Sequence, residues 1–399
     1  MEEKDAVIVG ARCAGSTLAI ALAQRGWDVL VVDRDTFPSD TVSTHAFFPN
    51  TLARYEQLGI LDTLQASHRL SWLRWRVAGM GQEIVGTFTP VDGFDRAASV
   101  RRIALDKAIV DTALAAGAEG RFGTKVANVI GSGTADDPVS GVVLDNGDKV
   151  KAKWVFGADG RGSTVAGKLG IEKERPQRGE IAYLFAYWSG IPDDGHGTLR
   201  IEADSGMSRW AVEDGLHLLA AAVGSEGTRG TGNQRRKSYL ETLRRFPDTL
   251  PHEQLEAGEM ISDVVVAPES LMRGFFRRPN GPGWALLGDA AHFKHPGTAQ
   301  GIADAVEQAI YLADALSSDR PSLDGYAGWI DRRAAEHYDW SFAWGRFPKA
   351  GVTDKLFAGW ASDPAAGQDL RDTFSRQTDP STLLSKERLE RWFGAPAPA

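Results

Sequence analysis

The stretch "DAVIVGARCAGSTLAIALAQRGWDVLVVDRD", residues 5–35, decides the fold. Its short, apolar, β-branched run Ala6 to Val9 reads as a buried strand. Residues 15–25 read as a helix with Leu18, Leu22 and several alanines on its inner face. The run 27–33 is a second buried strand, and it ends on an acid, Asp33. Strand, helix and strand within about 30 residues make half of a doubly wound nucleotide-binding sheet. The turn between strand and helix calls for three glycines; Gly10 and Gly15 hold the outer places and Arg12 the middle one. Arg12 keeps a backbone N–H, the helix start still favours anions, and the guanidinium can swing outward or fold over a phosphate. Asp33, 18 residues past Gly15, is placed to accept hydrogen bonds from both hydroxyls of an adenosine ribose, which disfavours a 2′-phosphate. The plainer alternative is a helix start with no ligand.

The whole chain sets bounds on this reading. Its 399 residues suffice for two or three domains with a sizeable core. At 42% hydrophobic and 25% charged, the composition is that of a globular protein. A net charge of −8 gives no reason to expect nucleic acid as a partner. The single cysteine, Cys13, excludes an intrachain disulfide and a cysteine-cluster metal site, so no metal is expected. The opening "MEEKD" runs directly into a strand and carries no signal-peptide pattern. No apolar run approaches the roughly 18 residues of a membrane span. The expectation is a cytoplasmic protein without stable membrane insertion, acting on a small-molecule substrate.

Along the chain, residues 49–64 read as one helix, 72–100 as antiparallel strands and 101–118 as a helix. A hairpin follows around the turn Asp145–Asp148. Residues 180–274 are β-rich, with 181–192 and 216–223 the clearest strands; 284–291 is a buried strand running into a helix at 300–316. The remainder is helical and rich in Trp and Phe. This order gives an α/β fold in which a Rossmann-like domain (1–74, 97–178 and 275–335) is interrupted by a β-sheet substrate domain (75–96 and 179–274), with a C-terminal helical region at 336–399.

Two further motifs matter. In "GADGRGSTVAGKLG" (157–170) glycines allow close backbone approach and Ser163 can cap a helix. In "LLGDAAHFKHPGTAQGIADAVEQAIYLADAL" (286–316) a carboxylate ends a strand, and the Gln300-Gly301-Ile302 backbone opens a helix. The carboxylate can hold a polyol, and the backbone can present N–H groups to an electron-poor ring. Each alone reads equally well as a strand-turn-helix corner; the three in this order are a specific combination.

With these motifs the sequence, from residue 5 to about 335, resembles the FAD-dependent class A monooxygenases. That aromatic hydroxylase superfamily includes geranylgeranyl reductase-like and flavin halogenase branches. The resemblance implies FAD as the resident cofactor, with its fingerprint on Gly10, Ala11, Arg12, Ala14, Gly15 and Ser16. It puts Asp33 on the adenosine ribose, Arg34 near adenine, Arg102 of "RIALD" on the pyrophosphate or ribityl chain, and the Val126 backbone on adenine. Asp159 and Gly160 match a motif tied to flavin and nicotinamide binding, and Gly288 with Asp289 the ribityl-binding pair. Thr44, Pro296, Gln300, Gly301 and Ile302 join the flavin-binding set, the last three passing beneath the isoalloxazine. No second glycine fingerprint exists, so NAD(P)H is expected as a transient co-substrate. O₂ then adds at flavin C4a, and the hydroperoxide oxygenates a small apolar or aromatic substrate of the kind met in secondary metabolism. The alternative within the superfamily is a reductase that inserts no oxygen. A halogenase is set aside, because "YWSGIP" (187–192) lacks both tryptophans of the Trp-x-Trp-x-Ile-Pro signature.

No dedicated catalytic group is expected, and His45, Lys294 and His295 are the candidates. His45 is placed to hydrogen-bond substrate or the flavin edge, or is simply packed. Lys294 and His295 are placed to stabilise a reduced flavin's charge, with solvated side chains as the plainer reading. His292 and Cys13 read as structural. His45, Phe47, Tyr187 and Trp210 form the expected substrate pocket, because the β-rich insert walls the cavity in relatives.

Overall fold

The computed structural model describes residues 2–43 and 45–394. Its central sheet runs, by strand, Asn280–Gly281, Trp284–Leu286, Lys149–Gly157, Glu2–Val9, Val29–Asp33, Glu119–Phe122, and the last four junctions of that order are parallel. Ala6 to Val9 and Val29 to Val32 are buried on both faces, which is why they read as unbroken apolar runs rather than alternations. Helix Cys13–Ala23 makes the crossover and packs against helices Arg102–Ala115 and Gly301–Leu316. The hairpin expected around Asp145–Asp148 joins Gly141–Leu144 to Lys149–Gly157.

A second sheet takes Arg74–Gly79 and Gln82–Gly86 from one part of the chain and its other strands from Ala182 to Ala267. Strand alternation sorts its side chains to two faces. Leu184, Ala186, Leu219 and Ala221 pack on Tyr239 and Leu243 of helix Gly232–Arg244. The opposite face presents Phe185, Tyr187, Trp210, Leu218 and Trp75 to Trp340, Phe357, Trp360 and Phe374 of the C-terminal helices. A three-stranded sheet of Glu174–Arg178, Arg273–Phe276 and His292–Phe293 lies apart from both.

The architecture is the α/β class with C-terminal helices read from the sequence, with two local differences. Residues 49–64 form two helices, Pro49–Gln57 and Ile60–Ser67, because Gly59 takes φ +75° and breaks the first. The β-rich insert contains helix Gly232–Arg244, opened by a capping box of Thr231 and Gln234. Helix Tyr326–Trp344 runs unbroken across position 335. Among the described residues no helix is long and apolar enough to cross a membrane.

Candidate active site

The parallel strands end at one edge of the central sheet, where a cleft of about 680 Å³ opens. Asp33 ends one strand and Gly288 follows another, three strand spacings away, roughly 14 Å at the usual inter-strand distance. An elongated ligand can therefore touch both acids across the intervening strand ends.

Gly10, at φ +102°, has no room for a Cβ, which would lie 2.5 Å from the Ala158 carbonyl oxygen. A Cβ on Gly15 would lie 1.8 Å from the Gly10 oxygen, so this glycine fixes the approach of helix to strand. Arg12 is the helix N-cap, and no side chain caps the first turn. Its N–H groups are left to the cleft that Arg12, Cys13 and Ala14 border. The Arg12 guanidinium turns away from that role. Its Nη1 donates to Asp106 Oδ2 at 2.6 Å and its Nη2 to Asp35 Oδ2 and Ser39 Oγ, each at 3.0 Å. The side chain therefore clamps the loop after Asp33 to helix Arg102–Ala115, an outcome that differs from both swinging outward and folding over a phosphate.

Asp33 is 9% exposed; it accepts N–H bonds from Ala11 at 2.6 Å and Asp35 at 2.9 Å, and each oxygen keeps capacity for another donor. Arg34 borders the cleft with an exposed side chain, and Val126 borders it at the start of its strand. Arg102 holds Asp106 in a bidentate pair, at 2.9 and 3.0 Å, while facing the cleft. Ser163 caps helix Thr164–Lys168 as expected, and Asp159 Oδ2 accepts the Thr164 N–H beside it; the buried Asp159 Oδ1 has no partner, and burial pushes its carboxyl up. Asp289, beside Gly288, faces the cleft and no hydrogen bond reaches its carboxylate among the described residues. Burial pushes this carboxyl up too, against the pull of Arg161 and other cations. Gly160, Pro296, Gly301 and Ile302 complete that wall.

Several expected residues lie elsewhere. Ala11, Gly15 and Ser16 shape the turn from behind, with Ser16 Oγ donating to Ala11 O. Gln300 is 1% exposed and its side chain turns from the cleft, accepting from Lys294 Nζ at 3.0 Å and donating to Thr373 O at 2.7 Å. Phe47 packs on Tyr55 in the first core, and Trp210 packs at a tilt on Trp75 beneath the C-terminal helices; neither borders the cleft. The aromatic face expected to wall a substrate cavity is filled by the C-terminal Trp and Phe residues. Thr44 lies outside the described residues.

Of the catalytic candidates, His45 is buried at the cleft, with Nε2 3.3 Å from the Tyr187 hydroxyl and the two rings stacked. Its Nδ1 has no partner, and burial followed by the charge of Arg102 lowers its pKa to about 3. Tyr187 meets the cleft only through His45. Lys294 and His295 are buried, not solvated. His295 Nδ1 accepts from the Gly297 N–H and Nε2 faces Ile181 O, a fully engaged packing role, with its pKa lowered by burial to about 4. His292 stacks on Phe276 and borders the cleft. Cys13 is packed against Asp106 with its thiol pushed up by burial to about 12, so it holds no reactive thiolate. Sequence reading missed Asp106, Asp35, Asp304 and Arg376, whose partners are distant in the chain. No cluster of metal-ligating side chains occurs among the described residues.

The cleft fits FAD on these observations: two glycine cradles with no space for a Cβ, an uncapped helix start, and an unpartnered acid. Residues 3–192 match the family described as the FAD binding domain. The chain is 28% identical over 355 residues to a menaquinone reductase of Mycolicibacterium smegmatis, covering 85% of this chain and 82% of the relative. It is 27% identical over 333 residues to the FAD-dependent monooxygenase ntnJ of a Nectria species, covering 78% and 76%. Among solved structures, a flavoprotein/dehydrogenase from Cytophaga hutchinsonii superposes with a TM-score of 0.77 at 16% identity, over 94% of this chain and 93% of that one. PqsL, a probable FAD-dependent monooxygenase from Pseudomonas aeruginosa, gives 0.65 at 20%, over 94% and 99%. At such identities the two structures speak for the fold alone.

Proposed function

We propose that this chain, whose residues 3–192 match the FAD binding domain family, is an FAD-dependent oxidoreductase of the class A monooxygenase superfamily and that it oxygenates a small apolar or aromatic substrate with NAD(P)H and O₂. The observation that carries the cofactor assignment is the single cleft bordered by Asp33 and, three strands across, by the unpartnered Asp289. First-turn N–H groups of helix Cys13–Ala23 and the Arg102 guanidinium would hold the pyrophosphate, Asp33 the ribose hydroxyls and Asp289 the ribityl hydroxyls. Bound FAD supplies electron transfer from the nicotinamide donor and activation of O₂. Around it the chain orients and shields: Gly301 and Ile302 line the ring's place at a helix start, where N–H groups favour added negative charge. His45, kept neutral by burial and with its ring fixed by Tyr187, would serve as a hydrogen-bond partner for substrate or the flavin edge rather than as a base.

A second reading, a reductase that saturates a bond of an apolar substrate without inserting oxygen, is supported by the similarity to the menaquinone reductase across 85% of the chain. One experiment separates them. The FAD-loaded protein is screened for substrates that accelerate NAD(P)H oxidation, and each hit is rerun without oxygen and with isotopically labelled O₂. Label in the product supports monooxygenation; the same product formed anaerobically overturns it in favour of the reductase.

A further inference from the structure

Lys294, Asp304 and Arg376 form a charged cluster that is 4–5% exposed, at the end of the cleft where helix Gly301–Leu316 begins. Lys294 Nζ lies 2.7 Å from Asp304 Oδ2, and Arg376 binds the other oxygen of the same carboxylate. Lys294 and Asp304 border the cleft, whereas Arg376 arrives from behind, on the segment after helix Pro364–Phe374. Arg376 takes φ +60°, a left-handed conformation unusual for a side chain of that size, and donates through Nη2 to Arg333 O at 2.6 Å. Gln300 ties the same two parts together, from Lys294 to the Thr373 carbonyl.

Lys294, Arg376 and Arg333 face Asp304 and Glu307, with Asp289 also acting on Lys294 and Asp379 on Arg376, while burial lowers the pKa of His292 to about 3 and of His337 to about 2, leaving both neutral. Burial and Arg376 also press the Lys294 ammonium toward its neutral form. Lys294 is the cation of this cluster that borders the cleft, so a negative charge arriving there would favour its ammonium form and be stabilised by it.

We propose that Lys294 sets the reduction potential of the bound FAD, and that Arg376, acting through Asp304, is the positioning residue by which the C-terminal region controls it. The proposal rests on the FAD assignment above. Hydride from the nicotinamide donor brings two electrons and one proton, the donor leaves oxidised, and the ring system becomes one unit more negative. The cluster favours that state.

The test is the midpoint potential of FAD-loaded wild type, K294M, K294R, R376Q and D304N, each equilibrated against a dye of known potential. K294M and R376Q should fall, D304N should rise, and K294R should stay near wild type. The expected size is at least tenfold in the oxidised-to-reduced ratio, about 30 mV for a two-electron couple. A purely structural cluster would not give opposite signs. Should D304N or R376Q fail to accumulate, K294M against K294R decides. Potentials that coincide, or that move in one direction for all variants, overturn the inference; wild type that takes up no flavin overturns the cofactor assignment instead.

Discussion

Replacing Arg12 by alanine distinguishes a clamp from a phosphate ligand. The wild-type guanidinium spends Nη1 on Asp106, whose carboxylate is fully buried, and Nη2 on the half-exposed Asp35 and on Ser39. The charge-assisted bond to Asp106 is worth about 1.5–3 kcal/mol, and the exposed pair with Asp35 about 0–1 kcal/mol. Asp106 keeps its bidentate bond to Arg102, so it is not left as an unpaired buried charge. Arg12 makes no side-chain cap, so alanine loses none. R12A should therefore destabilise the apoprotein by about 1.5–4 kcal/mol, a sum of these two contributions. The backbone N–H groups are untouched, so FAD affinity should change by less than about threefold, or ~0.7 kcal/mol. Urea unfolding of the apoprotein and fluorescence titration with FAD read the two quantities separately. An FAD affinity weakened tenfold or more with the urea midpoint unchanged would refute the clamp and put the guanidinium on the ligand.

D289N should weaken FAD binding about 10–100-fold, because an unpartnered carboxylate loses charge-assisted bonds of about 1.5–3 kcal/mol; unchanged affinity in the same titration would remove Asp289 from the site. G15V should abolish flavin uptake, since even a Cβ meets the Gly10 oxygen at 1.8 Å; a holoprotein of normal affinity would contradict the turn described. The protein should be acid-labile. The pKa values of His45, His292, His295 and His337 are lowered to about 3, 3, 4 and 2, below the unfolded value near 6.5, so the unfolded chain binds more protons. Stability is fully present above that unfolded value and is lost as pH falls, by up to about 1.4 kcal/mol per pH unit for each histidine. A urea midpoint that is flat from about pH 7 to about pH 5 would show these histidines charged in the native state.

The nucleotide half of the fold was legible because its signals are local. Ala6 to Val9, the glycine turn and Asp33 lie within one strand-helix-strand unit, and their buried, parallel pairing is what continuous apolar runs encode. Asp289 was legible for the same reason, as an acid at a strand end. The aromatic residues were not. Tyr187 and Trp210 alternate on their strands as any sheet would have them, and which face meets a cavity depends on the C-terminal helices that pack there. Lys294 reads as a solvated cation in "HFKHPG", because its counter-ion Asp304 lies 10 residues on, in the first turn of helix Gly301–Leu316, and Arg376 lies 82 residues on. Arg12 illustrates the limit: the departure from the glycine fingerprint was visible, but Asp106 is 94 residues distant. The helix Gly232–Arg244 could have been found from its capping box and the spacing of Tyr239, Leu243 and Phe246.

The most direct test is the visible absorption spectrum of the purified chain, before and after incubation with FAD and removal of the excess. The account predicts the flavin band at one FAD per chain in the wild type, and its loss on combining D33A with D289A while the apoprotein, with a lowered urea midpoint, still unfolds cooperatively. Protein that is colourless as isolated and still colourless after incubation would contradict it.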